Sequence, residues 1–340
     1  MERREVPVRA LVYLGPRRME LQESPEPSPG PGEVVFETRA AAICGSDLHG
    51  FREASPRRIP PLVMGHEAVG TVAAVGERVD PARVGERVVL SPILACGTCE
   101  PCREGRTNVC LRGRLVGREL TGAFAERFVI PAAAAVPIAA EVPDDLATLT
   151  EPLANAVHVT ARSVRPGDDV LVIGAGAIGV SMARMSVEQG ARRVHATDPV
   201  ASRLALAAAQ GATPLAGEDP EAALLEATDG RGVDVVIDAA GFEATWALAL
   251  RVVKPGGRVE AVGLGTPAAR VDLFAIAGKE IQVTGSFAWT DADFARALAL
   301  IEAGAIDTTG WFTDAPLAEG QRAFEELVDT TDRFKVVLHP

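Results

Sequence analysis

The segment Val170-Leu-Val-Ile-Gly174-Ala-Gly176-Ala-Ile-Gly179 constrains this chain more than any other. Its four aliphatic residues read as a short, fully buried strand. Gly174, Gly176 and Gly179 then form G-x-G-x-x-G, and a helical pattern follows to about Gln189. The first glycine permits a tight turn, the second a close approach of backbone to a ligand, and the third close helix–strand packing. With Ala177 and Ile178 opening the helix, its bare N–H groups form a seat for a pyrophosphate. Asp198 follows Gly174 by 24 residues, at the end of the next strand. There a carboxylate binds the adenosine ribose hydroxyls and repels a 2′-phosphate, so NAD is expected over NADP. Arg203 is the nearby base that could accept such a phosphate.

The segments around this motif alternate. Strands are expected at Val194 to Thr197, Val233 to Ile237 and Arg258 to Val262, with helices at Ala201 to Gln210 and Glu243 to Val253. Buried strands alternating with helices make right-handed βαβ units, hence an α/β domain with a doubly wound parallel sheet. The first 150 residues differ, with short Val-rich runs at Val34 to Arg39, Ala68 to Val75 and Arg87 to Leu90 between Gly and Pro turns. Ser24 to Gly32 is an irregular connection, and Ala132 to Ala135 has no evident role. A helix (Asp291 to Ala303) and a last strand (Lys335 to Leu338) close the chain. At 340 residues there is room for two cores.

Four of the five cysteines fall within fifteen positions: Cys96, Cys99, Cys102 and Cys110, spaced by two, two and seven residues. Four thiolates can surround one zinc tetrahedrally, and a site so closed is structural. An iron–sulfur cluster is the rival reading. Cys44, in Cys44-Gly-Ser-Asp-Leu-His49, and His66, in Gly65-His66-Glu67, could belong to a second, open zinc site needing a third ligand. Glu151, in Thr150-Glu-Pro-Leu-Ala, is the acid at the domain junction. Each also has a plain reading: a buried small thiol, a hydrogen-bonded core histidine, an acid at a helix N-terminus.

Taken together, these motifs resemble the medium-chain, zinc-containing alcohol and polyol dehydrogenases over nearly the whole chain. The matching stretches are Cys44-Gly-Ser-Asp-x-His49, Gly65-His-Glu-Ala-x-Gly70, the four-cysteine lobe, Glu151-Pro-Leu-Ala and the glycine fingerprint with Asp198. The resemblance implies a GroES-like, β-rich catalytic domain of residues 1–150 and 288–340, interrupted by a Rossmann domain of residues 151–287. It implies two zinc ions per chain, a catalytic one on Cys44 and His66 and a structural one on Cys96, Cys99, Cys102 and Cys110. Glu151 stands where many relatives place a cysteine and where sorbitol- and threonine-dehydrogenase-like members place an acid. Either Glu151 or Glu67 is then the third ligand, with Glu151 preferred. Asp47 matches the acid that orients the histidine ligand, Ser46 the hydroxyl that touches the substrate oxygen, and His49 the outer member of a proton relay. Arg203 matches a basic residue beside the ribose. Gly45 replaces an arginine that some relatives place on the pyrophosphate.

The implied reaction is reversible oxidation of an alcohol to a ketone or aldehyde with hydride transfer to NAD. A polyol, sugar-like or amino alcohol is expected; a simple alcohol dehydrogenase or an NADP-dependent carbonyl reductase is the alternative. Competing classes are a zinc-free quinone reductase, which would lack both cysteine features, and a non-catalytic nucleotide-binding protein. The partners expected are a small alcohol or carbonyl compound and further copies of the chain, as a homodimer or homotetramer. A net charge of −12 argues against nucleic acid and anionic membranes. No apolar run long enough to span a bilayer appears, and Met1 to Gly15 lacks the features of a signal peptide, so a cytoplasmic location is expected. Phe51, Phe287 and Trp289 are candidates for a substrate pocket or for core packing. His158, His195 and His339 carry no motif, and structural or surface roles are expected for them.

Overall fold

The computed structural model describes residues 7–215, 217, 219–330 and 333–340. The chain divides into two compact units, one of everything up to Glu151 together with Ala297–Pro340, the other of Pro152–Arg296.

The first unit is organised by the ten-residue strand Glu33–Ala42, which pairs antiparallel with Glu67–Val75, Arg127–Pro131 and Lys335–His339. Two register shifts against Glu67–Val75, at Val35/Phe36 and Thr38/Ala40, mark bulges that bend the sheet around its core. Ala135–Pro137, Arg87–Leu90 and Phe312–Pro316 complete seven strands. The last segment of the chain belongs here because its apolar face has nowhere else to go. Phe324, from helix Gly320–Asp329, is fully buried between Phe51 at 5.1 Å and Phe124 at 5.8 Å. Such burial contributes roughly 2–3 kcal/mol per aromatic side chain. Phe51 is therefore core and not pocket. The expected strand Arg87–Leu90 forms with the same bounds, and those at Val34, Ala68 and Lys335 form with one to four additional residues.

The second unit holds six strands, all parallel. Numbered by appearance, Asp169–Ile173, Arg193–Thr197, Thr213–Pro214, Val233–Asp238, Val253–Ala261 and Gln282–Gly285 lie in the order 3-2-1-4-5-6. All five residues of Asp169–Ile173 are buried, as expected for a strand covered on both faces. The order reverses between Asp169–Ile173 and Val233–Asp238, and open α/β sheets bind ligands at the carboxyl ends of strands flanking such a switch. The glycine turn follows Asp169–Ile173. Trp289 is 4% exposed and packs near Phe294, so it too is core. Among the described residues no helix is long and apolar enough to cross a membrane.

Candidate active site

Cys44 ends the turn after Glu33–Ala42 and is the N-cap of helix Gly45–Arg52. Asp47, at the third position of that helix, folds back so that its Oδ2 accepts from the Cys44 N–H at 3.3 Å. Gly65 precedes strand Glu67–Val75 with φ +96°, and a Cβ there would stand 2.9 Å from the Phe124 backbone nitrogen. Only glycine allows that turn, and it presents His66 and Glu67 beside Cys44. Ligand atoms of Cys44, His66 and Glu67 all lie within 4.8 Å of one another. Glu151, on the first turn of helix Thr150–Ser163, stands outside that span, but it is buried and interacts electrostatically with all three. Its Oε2 is buried without a hydrogen-bond partner. The His66 Nε2 lies 3.4 Å from Ser46 Oγ, and its Nδ1 faces Asp47 Oδ1 at 3.6 Å. His49 is exposed one turn beyond Ser46, and among the described residues no hydrogen bond joins the two.

The four-cysteine lobe also converges. Four sulfurs bound to one zinc stand about 3.8 Å apart. Cys99 and Cys110 are separated by 3.8 Å and Cys99 and Cys102 by 3.4 Å, and all four cysteines are free. Backbone N–H groups of Cys96 and Arg112 point at Cys110 Sγ, and the Arg112 guanidinium at Cys96 Sγ, as donors toward thiolates. Hydrogen bonds from the Thr98 backbone N–H, the Arg112 guanidinium and the Cys99 backbone N–H lower the Cys96 thiol to about 5.

In the second unit, Gly174 turns with φ +92° and Gly176 caps helix Ala177–Glu188 without a side-chain bond. A Cβ on Gly179 would lie 1.8 Å from the Gly174 carbonyl oxygen, whereas one on Gly176 would meet nothing within 4 Å. Packing thus fixes the third glycine, and the space in front of the second is open to a phosphate. Asp198 accepts from Ala175 N at 2.7 Å and Val200 N at 2.8 Å, which pins its carboxylate against the glycine turn.

Residues 30–140 match the alcohol dehydrogenase GroES-like domain, and residues 164–303 the zinc-binding dehydrogenase domain. The chain belongs to the zinc-dependent medium-chain alcohol dehydrogenases. It is 35% identical over 287 residues to an L-threonine 3-dehydrogenase of Shewanella frigidimarina, covering 82% of this chain and 84% of the relative. An alcohol dehydrogenase of Thermus is 33% identical at a TM-score of 0.89, covering 97% of this chain and 99% of the other. An alcohol dehydrogenase of Escherichia coli, solved with NADH, is 30% identical at a TM-score of 0.90, covering 98% of this chain and 99% of the other. This protein is accordingly a nicotinamide-linked, zinc-binding alcohol dehydrogenase, with a GroES-like and a Rossmann domain.

The electrostatics of the dehydrogenase's first cluster suit a dication. Burial pushes the Cys44 thiol up to about 12, with the Glu67 and Asp47 charges adding to it. Burial likewise drives Glu151 well above the ordinary carboxyl range, reinforced by Glu67 and Cys44. Acidic groups crowded out of water keep their protons unless cations accompany them, and a metal ion reverses that preference. A thiol, an imidazole and carboxylates are a donor set that zinc accepts.

Two cations that the sequence did not signal complete the site. Lys335 is 3% exposed and forms an ion pair with Glu67 Oε2, while its Nζ also donates to the Ile43 carbonyl at 3.3 Å. Burial works against its charge, but Glu67, Cys44 and Glu151 outweigh that and raise its pKa. Arg58 is 5% exposed and pairs with Asp47 at 2.9 Å. A lysine opening the apolar run Lys335-Val-Val-Leu338 was the one available signal, and Arg58 sits in no motif at all. The histidines without motifs lie elsewhere: His158 is buried against Asp293 at 2.8 Å, His195 is buried, and His339 meets Asp314 at 2.9 Å.

Proposed function

We propose that this enzyme oxidises a secondary alcohol carrying a neighbouring hydroxyl or amino group, using NAD and two zinc ions per chain. The observation that carries the reading is the convergence of Cys44, His66 and Glu67 within 4.8 Å, with buried Glu151 acting electrostatically on all three. The first unit is then the catalytic domain and the second the nucleotide-binding domain. Bound at the first cluster, zinc supplies Lewis-acid polarisation of the substrate oxygen, and the nicotinamide supplies the hydride acceptor.

The chain's own residues do the rest. Cys44 and His66 would hold the catalytic ion. Glu151 is the preferred third ligand: neither Glu67 Oε2 nor Glu151 Oε2 has a hydrogen bond among the described residues, but Glu67 Oε2 is ion-paired with Lys335 and Glu151 is not. Asp47 orients the His66 ring through its Nδ1. Ser46 takes up the proton of the substrate hydroxyl, and exposed His49 returns it to solvent. Cys96, Cys99, Cys102 and Cys110 would hold the structural ion. Gly174, Gly176, Ala177, Ile178 and Gly179 receive the pyrophosphate and Asp198 the adenosine ribose. Asp198 supports NAD; Arg203, whose buried Nε has no hydrogen-bond partner among the described residues, supports NADP as the second reading. The likeness to an L-threonine 3-dehydrogenase, an enzyme named for an amino alcohol, supports the substrate class over simple alkanols.

The test is cofactor reduction across polyols, sugar alcohols, amino alcohols and alkanols with each nicotinamide, alongside metal analysis. We expect two zinc ions per chain, and NAD preferred over NADP by about tenfold or more in kcat/KM. E151Q should lose the catalytic zinc and E67Q should keep it. Faster turnover of alkanols than of every polyol and amino alcohol would remove the substrate reading, and full zinc in E151Q would move the third ligand to Glu67.

A homodimer is the proposed assembly. All four residues of edge strand Gln282–Gly285 are exposed, and Leu273 and Phe274 nearby are 72% and 92% exposed. An open strand edge beside exposed apolar side chains is a surface that a second copy can pair with and cover. Sedimentation velocity should show a dimer that V283K weakens; a wild-type monomer at micromolar concentration would refute it.

A further inference from the structure

Arg58 pairs with Asp47, and nothing in the proposed mechanism uses it. Its stem lies over Gly50, where an added Cβ would come within 2.6 Å of Arg58 Cγ. Its Nη1 donates to the Gly117 carbonyl at 2.5 Å. Its Nη2 donates twice, to Asp47 Oδ1 at 2.9 Å and to Ser46 Oγ at 3.1 Å. A buried guanidinium needs a carboxylate and satisfied donors, and Asp47 and Gly117 meet that need. Charge neutrality does not call for the bond to Ser46. That contact has a consequence for the reaction.

A serine hydroxyl has three staggered rotamers, one hydrogen and two lone pairs. With one lone pair taken by the Arg58 N–H, the Oγ is held 3.4 Å from His66 Nε2. Its hydrogen and second lone pair are on the side of Cys44 and His66, both of which the hydroxyl contacts, and it is there that proton exchange takes place. The same guanidinium grips the Asp47 oxygen that faces His66 Nδ1. One side chain therefore sets both polar groups flanking the histidine.

We propose that Arg58 is a positioning residue for proton transfer, locking the Ser46 hydroxyl and the Asp47 carboxylate in the orientations through which the substrate proton leaves. The step moves one proton from the alcohol oxygen to Ser46 Oγ as the Ser46 hydrogen passes outward to His49 and solvent. The carbinol C–H bond breaks as hydride to the nicotinamide, which is reduced as the alcohol is oxidised to the carbonyl. The proposal rests on the relay role of Ser46.

The experiment compares zinc-loaded R58M, R58Q, R58K, S46A and the R58M/S46A double variant in the full chain. Readouts are zinc per chain, kcat and KM for the best alcohol, and the solvent deuterium isotope effect. R58M should keep two zinc ions and an alcohol KM within about threefold of wild type, while kcat falls ~10- to 100-fold. Its solvent isotope effect should rise as the proton step becomes limiting. R58K, retaining a donor and the charge, should recover part of the loss. The double variant should be slower than S46A by less than the factor that R58M costs alone, because the share of the loss that runs through Ser46 is already gone. If R58M does not hold its metal, R58Q carries the test, with the same fall in kcat at full zinc content.

Wild-type kcat at full zinc in R58M or R58Q, or losses that multiply in the double variant, would overturn the proposal. Wild-type kcat in S46A would overturn the relay and this inference together, and is read independently of any change at Arg58.

Discussion

At the scale of single residues, the first unit keeps an unusual density of charge out of water. Glu67 is 1% exposed and Lys335 3%; they form an ion pair, and Lys335 also donates to the Ile43 carbonyl. Removing one member of such a pair leaves an uncompensated buried charge, which costs about 3–5 kcal/mol. K335M should therefore lower the melting temperature sharply, and E67Q added to K335M should restore most of the loss. A K335M protein as stable as wild type would show the pair to be dispensable. Cys44, His66 and Glu67 were legible as a group because the chemistry that recruits them demands particular side chains. Lys335 was not: its partner lies 268 positions away, and no local pattern encodes that meeting.

At the scale of elements, the cysteine lobe and the glycine turn depend on different things. No residue of the lobe from residue 93 to residue 115 is fully buried, and its four cysteines are partly exposed. It has no core of its own, and the proposed metal ion is what would supply its folding energy. Chelation should open this lobe to proteolysis between residues 93 and 115 while the far-ultraviolet signal of the Rossmann sheet persists. Cleavage elsewhere first, with the lobe protected, would contradict that. The glycine turn needs no metal: Gly179 is fixed by the Gly174 carbonyl, and the parallel sheet by continuous burial of Asp169–Ile173. These elements were readable in advance because strand, turn and helix are adjacent in sequence. Phe51 and Trp289 were not. An aromatic residue looks the same in a pocket and in a core until its neighbours are known, and Phe324 supplies the answer for Phe51.

At the scale of the whole molecule, acid sensitivity has an identifiable contributor. Asp169 is 3% exposed at the start of the central strand of the parallel sheet. Burial opposes its charge, but hydrogen bonds from Arg193 and Arg192 hold its carboxyl down at about 2, against 3.8 ordinarily. A group depressed in the folded state stabilises above its unfolded value and loses that contribution as pH falls through its folded value. The effect is roughly 1–2 kcal/mol once the exposure of the arginines is discounted. It should be fully present above about pH 4 and lost between pH 4 and 2. D169N should remove this part of the acid slope of the unfolding free energy, and an unchanged slope would rule Asp169 out.

The sequence alone singled out the groups: four clustered cysteines proposed for a closed metal site, Cys44 and His66 for a second, and three glycines with Asp198 for a nucleotide. Those features are short-range, and each residue type is required by what it binds. The tertiary structure decided which partners complete them. It placed Lys335 of the last strand on Glu67, Arg58 across Ser46 and Asp47, and Phe324 in a core begun nearly three hundred residues earlier. Burial decides such contacts, since a charge or a ring removed from water must find a partner wherever the chain brings one.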